Sequence, residues 1–258
     1  MFRHNKKMFY NELRKEECGD VVDFGPLARL RRRIILDMLK IACGKNSRIL
    51  DTGCGRGNLL FEMDRAGFFN LEGSDFSEES LAISKQKFTG RLFRADLTNL
   101  RDFASGGYDA VICSEVLEHI EDDISAMRNL NSLLKPGGIL IISAPFNPDM
   151  WSEQDDFAGH VRRYSEGEAE EKLRLAGFMV ENIRFSGWLL SEVYHKTFMR
   201  NDPAAIRSAK NRNLKRIISS VLYYPLLLES PVRSTRLARR LFILARRPEG
   251  RDVLDKGA

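Results

Sequence analysis

The sequence predicts an α/β fold, a parallel sheet covered on both faces by helices. Three observations carry this. Six apolar, strand-like runs alternate with helical segments between residues 48 and 185. A glycine-rich turn leads from the first run into a helix, and an aspartate closes each of the next two runs. That is the pattern of an open sheet that takes a ligand at the carboxyl ends of its strands. Finally, 258 residues, 43% of them hydrophobic, suffice for one large domain or a domain with an added lobe.

Each element follows from local pattern. Residues 5–43 read as helical, because Leu27, Leu30, Ile34, Ile35, Met38, Leu39 and Ile41 recur near helical spacing and Gly44 stops the run. Strands are expected over Arg48–Asp51, Phe69–Asp75, Arg91–Asp96, Tyr108–Ser114, Gly138–Ala144 and Met179–Phe185. Helices are expected between them over Leu59–Ala66, Glu78–Lys87, Asp122–Leu134 and Glu166–Leu175. Residues 188–240 break the rhythm and read as a helical insertion, basic and apolar by turns. A last strand, Leu241–Ala245, precedes a polar tail. The expected organisation is a helical cap over 1–44, a core over 45–187, the insertion over 188–240, a final strand over 241–248 and the tail over 249–258.

Charge is unevenly spread. Residues 201–258 hold 13 Lys/Arg against 5 Asp/Glu, a net of +8, whereas residues 1–200 carry 28 against 31, a net of −3. A basic tail end on a slightly acidic body argues against a protein built to bind nucleic acid over its whole surface. Cys18, Cys43, Cys54 and Cys113 show neither metal-ligand nor disulfide spacing. The amino terminus has no apolar run behind its charges, and no stretch reaches the roughly 18–20 apolar residues that span a bilayer. A cytoplasmic location is expected, with residues 207–240 as the surface that would touch the inner face of a membrane, cover the active site or meet a second subunit.

The sharpest motif is Asp51-Thr52-Gly53-Cys54-Gly55-Arg56-Gly57, between strand and helix. Its glycines permit a tight turn and close approach to a ligand, and the helix behind it presents backbone N–H groups. A dinucleotide site uses similar spacing, but Asp51 directly before the glycines would repel a pyrophosphate and suits an amino group. Asp75 closes the second strand, where a carboxylate can accept from ribose hydroxyls. Asp96 closes the third, where it can accept from an exocyclic amine. Each aspartate alone could merely cap a helix. Together the three features point to an adenosine-bearing cofactor.

With Tyr108 to Glu115 and Leu133-Leu134-Lys135-Pro136-Gly137-Gly138 in matching order, the chain resembles the class I S-adenosylmethionine-dependent methyltransferases, of the type 11/12 group that includes quinone-biosynthesis enzymes. The resemblance implies a Rossmann-like, seven-stranded, mostly parallel sheet whose antiparallel last strand is inserted beside the sixth. It implies that Asp51, Thr52, Gly53, Cys54, Gly55 and Gly57 hold the methionine portion of S-adenosylmethionine. Asp75 and Phe76 would meet the ribose, Asp96 and Leu97 the adenine, and Ser114 and Glu115 the sulfonium side. Thr52 departs from the aliphatic residue usual there, and Arg56 is bulkier than usual.

Facing the substrate, His119 and His160 can take a hydroxyl proton, with Glu115 beside them as a catalytic candidate. Each histidine reads equally as a structural hydrogen bond. Glu115, Glu118, His119 and His160 also make a mixed set able to hold Mg2+ or Mn2+, as in small-RNA 2′-O-methyltransferases, which the segment resembles. Convergence of the adjacent Glu118 and His119 would require a loop or an irregular turn. Residues 151–164, with Trp151 and Phe157, should form a substrate-facing flap. Arg162 and Arg163 there could meet an anionic substrate or pair with Asp155, Asp156 or Glu166. The expected reaction is direct in-line methyl transfer to a hydroxyl of a small molecule, glycan or lipid-linked acceptor. Metal-assisted RNA ribose methylation, N- or C-methylation and a non-catalytic, cofactor-binding regulatory role remain as alternatives.

Overall fold

The computed structural model describes residues 25–103, 106–187, 223–224 and 238–250. Seven strands form one sheet: β1 Arg48–Thr52, β2 Asn70–Asp75, β3 Arg91–Arg94, β4 Tyr108–Ser114, β5 Leu134–Pro145, β6 Met179–Ser186 and β7 Arg240–Arg246. Their order is β3-β2-β1-β4-β5-β7-β6. The pairs β1–β2, β2–β3, β1–β4 and β4–β5 are parallel, and β7 is antiparallel. At its end, Gly137 N donates to Arg247 O and Arg247 N to Gly138 O. Chain order turns back between β1 and β4, the point where open sheets bind ligands.

Burial follows strand position. β4 and the second half of β5 are almost wholly buried, as expected of runs covered on both faces. The edge strand β3 is four residues long and exposed at both ends, which limits its use as a template for further pairing. At the amino ends of the strands, the buried carboxylate of Glu72 binds Arg48, Arg91 and the hydroxyl of Tyr108. Burial and that carboxylate push the Tyr108 phenol up to about 12.

The helices are α1 Pro26–Ala42, α2 Asn58–Arg65, α3 Glu78–Ser84, α4 Asp123–Leu133, α5 Glu153–Ala158 and α6 Glu166–Leu175. Short polar side chains start most of them. Ser77, Asp122 and Ser165 accept from Ser80 N, Ser125 N and Glu168 N. Acidic first turns in α3 and α6 suit the positive end of the helix dipole. In α2, Leu59, Leu60 and Met63 form the inward stripe.

Several boundaries differ from expectation, among them β3, which ends at Arg94, so that Asp96 lies two residues beyond the strand instead of closing it. β5 begins at Leu134, four residues early, because Leu134 already pairs with Tyr108 across a register shift. α3 stops at Ser84, three residues early. The flap contains α5, which a capping box between Ser152 and Asp155 starts.

The chain divides into two compact units, Ile35–Arg184 with Leu241–Ala258, and Met1–Ile34 with Phe185–Arg240. The first contains the sheet, apart from the last two residues of β6 and the first of β7, and every candidate site residue. In the second, Arg29 stacks over the Tyr223 ring at 4.1 Å, and Arg239 N donates to Ser186 O. The expected helices before residue 25, most of the expected insertion and the tail beyond residue 250 lie outside the described residues. Among the described residues, no helix is long and apolar enough to cross a membrane.

Candidate active site

The glycine turn leaves β1 through three left-handed residues, Gly53, Gly55 and Gly57, with φ of 67°, 54° and 74°. A Cβ on Gly53 would lie 2.4 Å from Val116 Cγ2, and one on Gly57 would lie 2.2 Å from Ser84 Oγ. Gly55 faces open space, so its neighbourhood can admit a ligand against bare backbone. Asp75 is 1% exposed and braces the turn from β2: Gly55 N donates to one carboxylate oxygen at 2.8 Å and Ser77 N to the other at 2.9 Å. Cys54 N donates to Ser74 O. Asp51 is buried beside it. The hydroxyl of Thr52 donates to Ile112 O at 2.9 Å, so the departure from an aliphatic residue is satisfied inside the sheet.

Beyond β3, Asp96 is exposed and accepts from Thr98 N and its hydroxyl, while Leu97 is buried. Asn129 on α4 holds Leu97 O at 2.8 Å. Phe76 is half-buried at the exit of β2. The acidic and glycine positions thus all lie at the carboxyl ends of β1, β2 and β3.

At the exit of β4, Ser114 Oγ lies 2.9 Å from Ser143 Oγ, and Ser143 Oγ donates to Glu115 Oε1 at 3.0 Å. Glu115 stands at φ 57°, a left-handed conformation costly for a residue with a side chain, on the order of 1–3 kcal/mol. A 3-10 turn over Leu117–His119 follows. This turn is the irregularity that lets adjacent residues converge. Ligand atoms of Glu118, His119 and His160 lie within 4.8 Å of one another. Glu115, the fourth member of the expected set, is not in that group. Glu118 is fully buried, and Val161 N donates to its backbone carbonyl. The two imidazoles meet edge to face, centroids 4.9 Å apart.

The flap is held by two buried carboxylates. Asp155 is 2% exposed and accepts from Arg163 Nε at 2.9 Å and Nη2 at 2.8 Å. It also accepts from Ser152 N, the Ser152 hydroxyl and the His160 ring. Burial alone would raise the Asp155 pKa, but hydrogen bonds from His160, Arg163 and Ser152 outweigh it and hold the acid well below the usual carboxylate range. Asp123 accepts from Tyr164 Oη at 2.7 Å and Lys172 Nζ at 2.8 Å, and pairs with Arg162 at 2.5 Å. Burial raises its pKa too, and those three partners more than reverse the effect. Arg163 is therefore committed to Asp155, one of its three anticipated partners. Arg162 takes Asp123, which sequence did not suggest.

Three further residues shape the site: Ser143, Asp123 and Asp155. A signal exists only for Asp155, in the Ser152–Asp155 spacing of its capping box. Asp123 and Ser143 act on partners up to 49 residues away, and nothing local marks them.

Residues 12–183 match the family model described as a methyltransferase domain. Among curated proteins, the chain is 33% identical over 129 residues to the ubiquinone biosynthesis O-methyltransferase of Vibrio parahaemolyticus, covering 47% of this chain and 54% of that one. It is 35% identical over 138 residues to the enzyme of that name from Sodalis glossinidius, covering 50% and 54%. The chain thus spans about half the length of the curated relatives it matches. Among solved structures, it resembles phosphoethanolamine N-methyltransferase 2 of Haemonchus contortus in complex with S-adenosyl-L-methionine, with a TM-score of 0.63, 16% identity and coverage of 93% of this chain and 60% of that one. A SAM-dependent methyltransferase of Archaeoglobus fulgidus matches with a TM-score of 0.55 and 19% identity, over 83% and 94%. At such identities these structures speak for the fold alone.

Proposed function

Because the chain belongs to the class I S-adenosylmethionine-dependent methyltransferases, we propose that it methylates a hydroxyl oxygen of a small acceptor. The observation that carries this is the group Glu118, His119 and His160, three potential acceptors gathered at the exit of β4. Val116, at the start of that turn, packs where a Gly53 side chain would be, so the group adjoins the glycine turn. Names of the curated relatives support oxygen as the acceptor atom.

The glycine turn fits the cofactor, since Gly55 opens on free space and Asp51 offers a carboxylate. When bound, S-adenosylmethionine supplies an electrophilic methyl carbon on a positively charged sulfur. The chain's contribution is alignment and proton removal. Asp75 and Asp96 would fix the adenosine end, and Asp51 to Gly57 the methionine end. His160 would accept the hydroxyl proton at Nε2 as the oxygen takes the methyl carbon and the carbon–sulfur bond breaks, its electron pair staying on a sulfur that becomes neutral. Glu118 would stabilise the imidazolium so produced, and Glu115 would line the acceptor side.

A divalent cation is the second reading, favoured by the 4.8 Å convergence. Two imidazoles and one carboxylate suit manganese or zinc better than magnesium, which prefers oxygen ligands. The basic, partly apolar stretch over 207–240 supports an acceptor held at a lipid surface.

One assay tests both readings: transfer of labelled methyl from S-adenosylmethionine to a panel of phenols, catechols and lipid-linked alcohols. His160→Ala should lose at least about 100-fold in turnover with cofactor affinity unchanged by calorimetry. Full turnover in that variant removes His160 from the chemistry. Full turnover of the unaltered protein in EDTA excludes the metal reading and leaves the base reading standing.

A further inference from the structure

A neutral histidine carries its proton on one ring nitrogen and a lone pair on the other, and the neighbour of one nitrogen decides both. His160 Nδ1 lies 2.9 Å from Asp155 Oδ1. Asp155 is buried, and Arg163 grips both its oxygens while Ser152 donates twice to Oδ2. Four donated bonds and the guanidinium charge keep that carboxyl ionised, so it can only accept. The Nδ1 atom must therefore carry the proton, and the Nε2 lone pair is left for the group with Glu118 and His119.

The same segment treats His119 alike. Its Nδ1 lies 3.2 Å from Gly159 O, and a carbonyl oxygen can only accept. Gly159 caps α5 in a left-handed conformation, φ 72°, and His160 N donates to Asp155 O. One turn of chain between Asp155 and His160 thus orients both imidazoles.

We propose that Asp155 is the positioning residue of the site: its buried carboxylate holds the Nδ1 proton of His160 and so presents the Nε2 lone pair toward Glu118 and His119. The assignment rests on the reading in which His160 acts through Nε2, whether on a hydroxyl proton or on a cation. Asp155 itself touches no reacting atom. Carboxylates that orient a functional histidine in this way typically matter 10–100-fold.

The test is the tautomer of His160, read from two-bond nitrogen–proton correlations of the imidazole at about pH 8, above the ordinary histidine range. EDTA is present so that no cation holds Nε2. The full-length protein should show His160 protonated at Nδ1. In Asp155→Asn, the amide must turn its oxygen to Arg163 and its NH2 to the ring, so His160 should move to the Nε2–H form. In the methyl-transfer assay, kcat should fall about 10–100-fold with little change in KM. Arg163→Met loosens the flap but keeps the carboxylate on the ring. It should lower the melting temperature and leave the tautomer at Nδ1–H, which separates positioning from mere support of the flap. An Nε2–H ring in the unaltered protein, or an unchanged Nδ1–H ring in a folded Asp155→Asn, overturns the proposal. If the tautomers behave as stated while His160→Ala retains turnover, the catalytic reading fails and the Asp155 assignment survives it.

Discussion

An alanine at position 53 would place its Cβ 2.4 Å from Val116 Cγ2 and would have to hold φ at 67°. The conformation alone costs about 1–2 kcal/mol. Val116 must also move, and it leads directly into the turn with Glu118 and His119. Gly53→Ala should therefore weaken S-adenosylmethionine about tenfold or more by calorimetry and lower the melting temperature, whereas Gly44→Ala, which meets nothing within 4 Å, should do neither. Equal cofactor affinity in the two variants would show that the turn does not shape the pocket. At this scale much was legible. Gly53, Gly55 and Gly57 announce themselves because positive φ is a local demand, and Asp75 and Asp96 because they end apolar runs. Asp155 was among the partners anticipated for the two arginines and takes Arg163, but the pairing of Arg162 with Asp123 was not legible. Adjacent arginines point to different carboxylates, Asp123 and Asp155, and which acid lies within reach depends on how α4 and α5 are placed.

Among the elements, the flap over residues 151–164, together with the 146–150 segment that leads into it from β5, is fastened at both ends. Tyr164 N donates to Pro145 O and Asn147 N to Tyr164 O, which zips its two ends together at the exit of β5. Asp155 and Asp123 anchor it through side chains. Both acids have native pKa values below their unfolded ones, so the stability they contribute is complete above about pH 4 and is lost as pH falls toward the native values. The melting temperature should accordingly drop steeply below about pH 4. Part of that slope should vanish in Asp155→Asn, which has no carboxyl to protonate there. A pH dependence identical to that of the unaltered protein would mean the ion pair adds nothing to folding. The strong alternation of strands and helices was readable because a period of two or 3.6 residues is written in the chain itself. The short helix α5 is hidden by its length, six residues with Trp151 and Phe157 flanking or facing solvent at 41% and 42% exposure.

Across the whole molecule, the charge division at residue 200 is a property of the sequence alone, +8 against −3. A lipid-held acceptor requires that the basic part bind anionic vesicles, so the protein should sediment with phosphatidylglycerol liposomes at low salt and release them at about 0.5 M salt, where screening is strong. Failure to sediment at low salt removes the lipid surface and leaves a freely diffusing acceptor. By itself the sequence determined the α/β class, the order of strands and helices and the glycine and acidic positions at the strand ends. These depend on residue type and on neighbours a few positions away. The tertiary structure decided which side chains meet: Glu118 with His119 and His160, Ser143 with Glu115, Asp155 with His160 and Arg163, Asp123 with Tyr164 and Lys172. Several of those pairs join residues 28 to 49 positions apart. Their choice follows from how the helices pack on the sheet, and no local pattern encodes that.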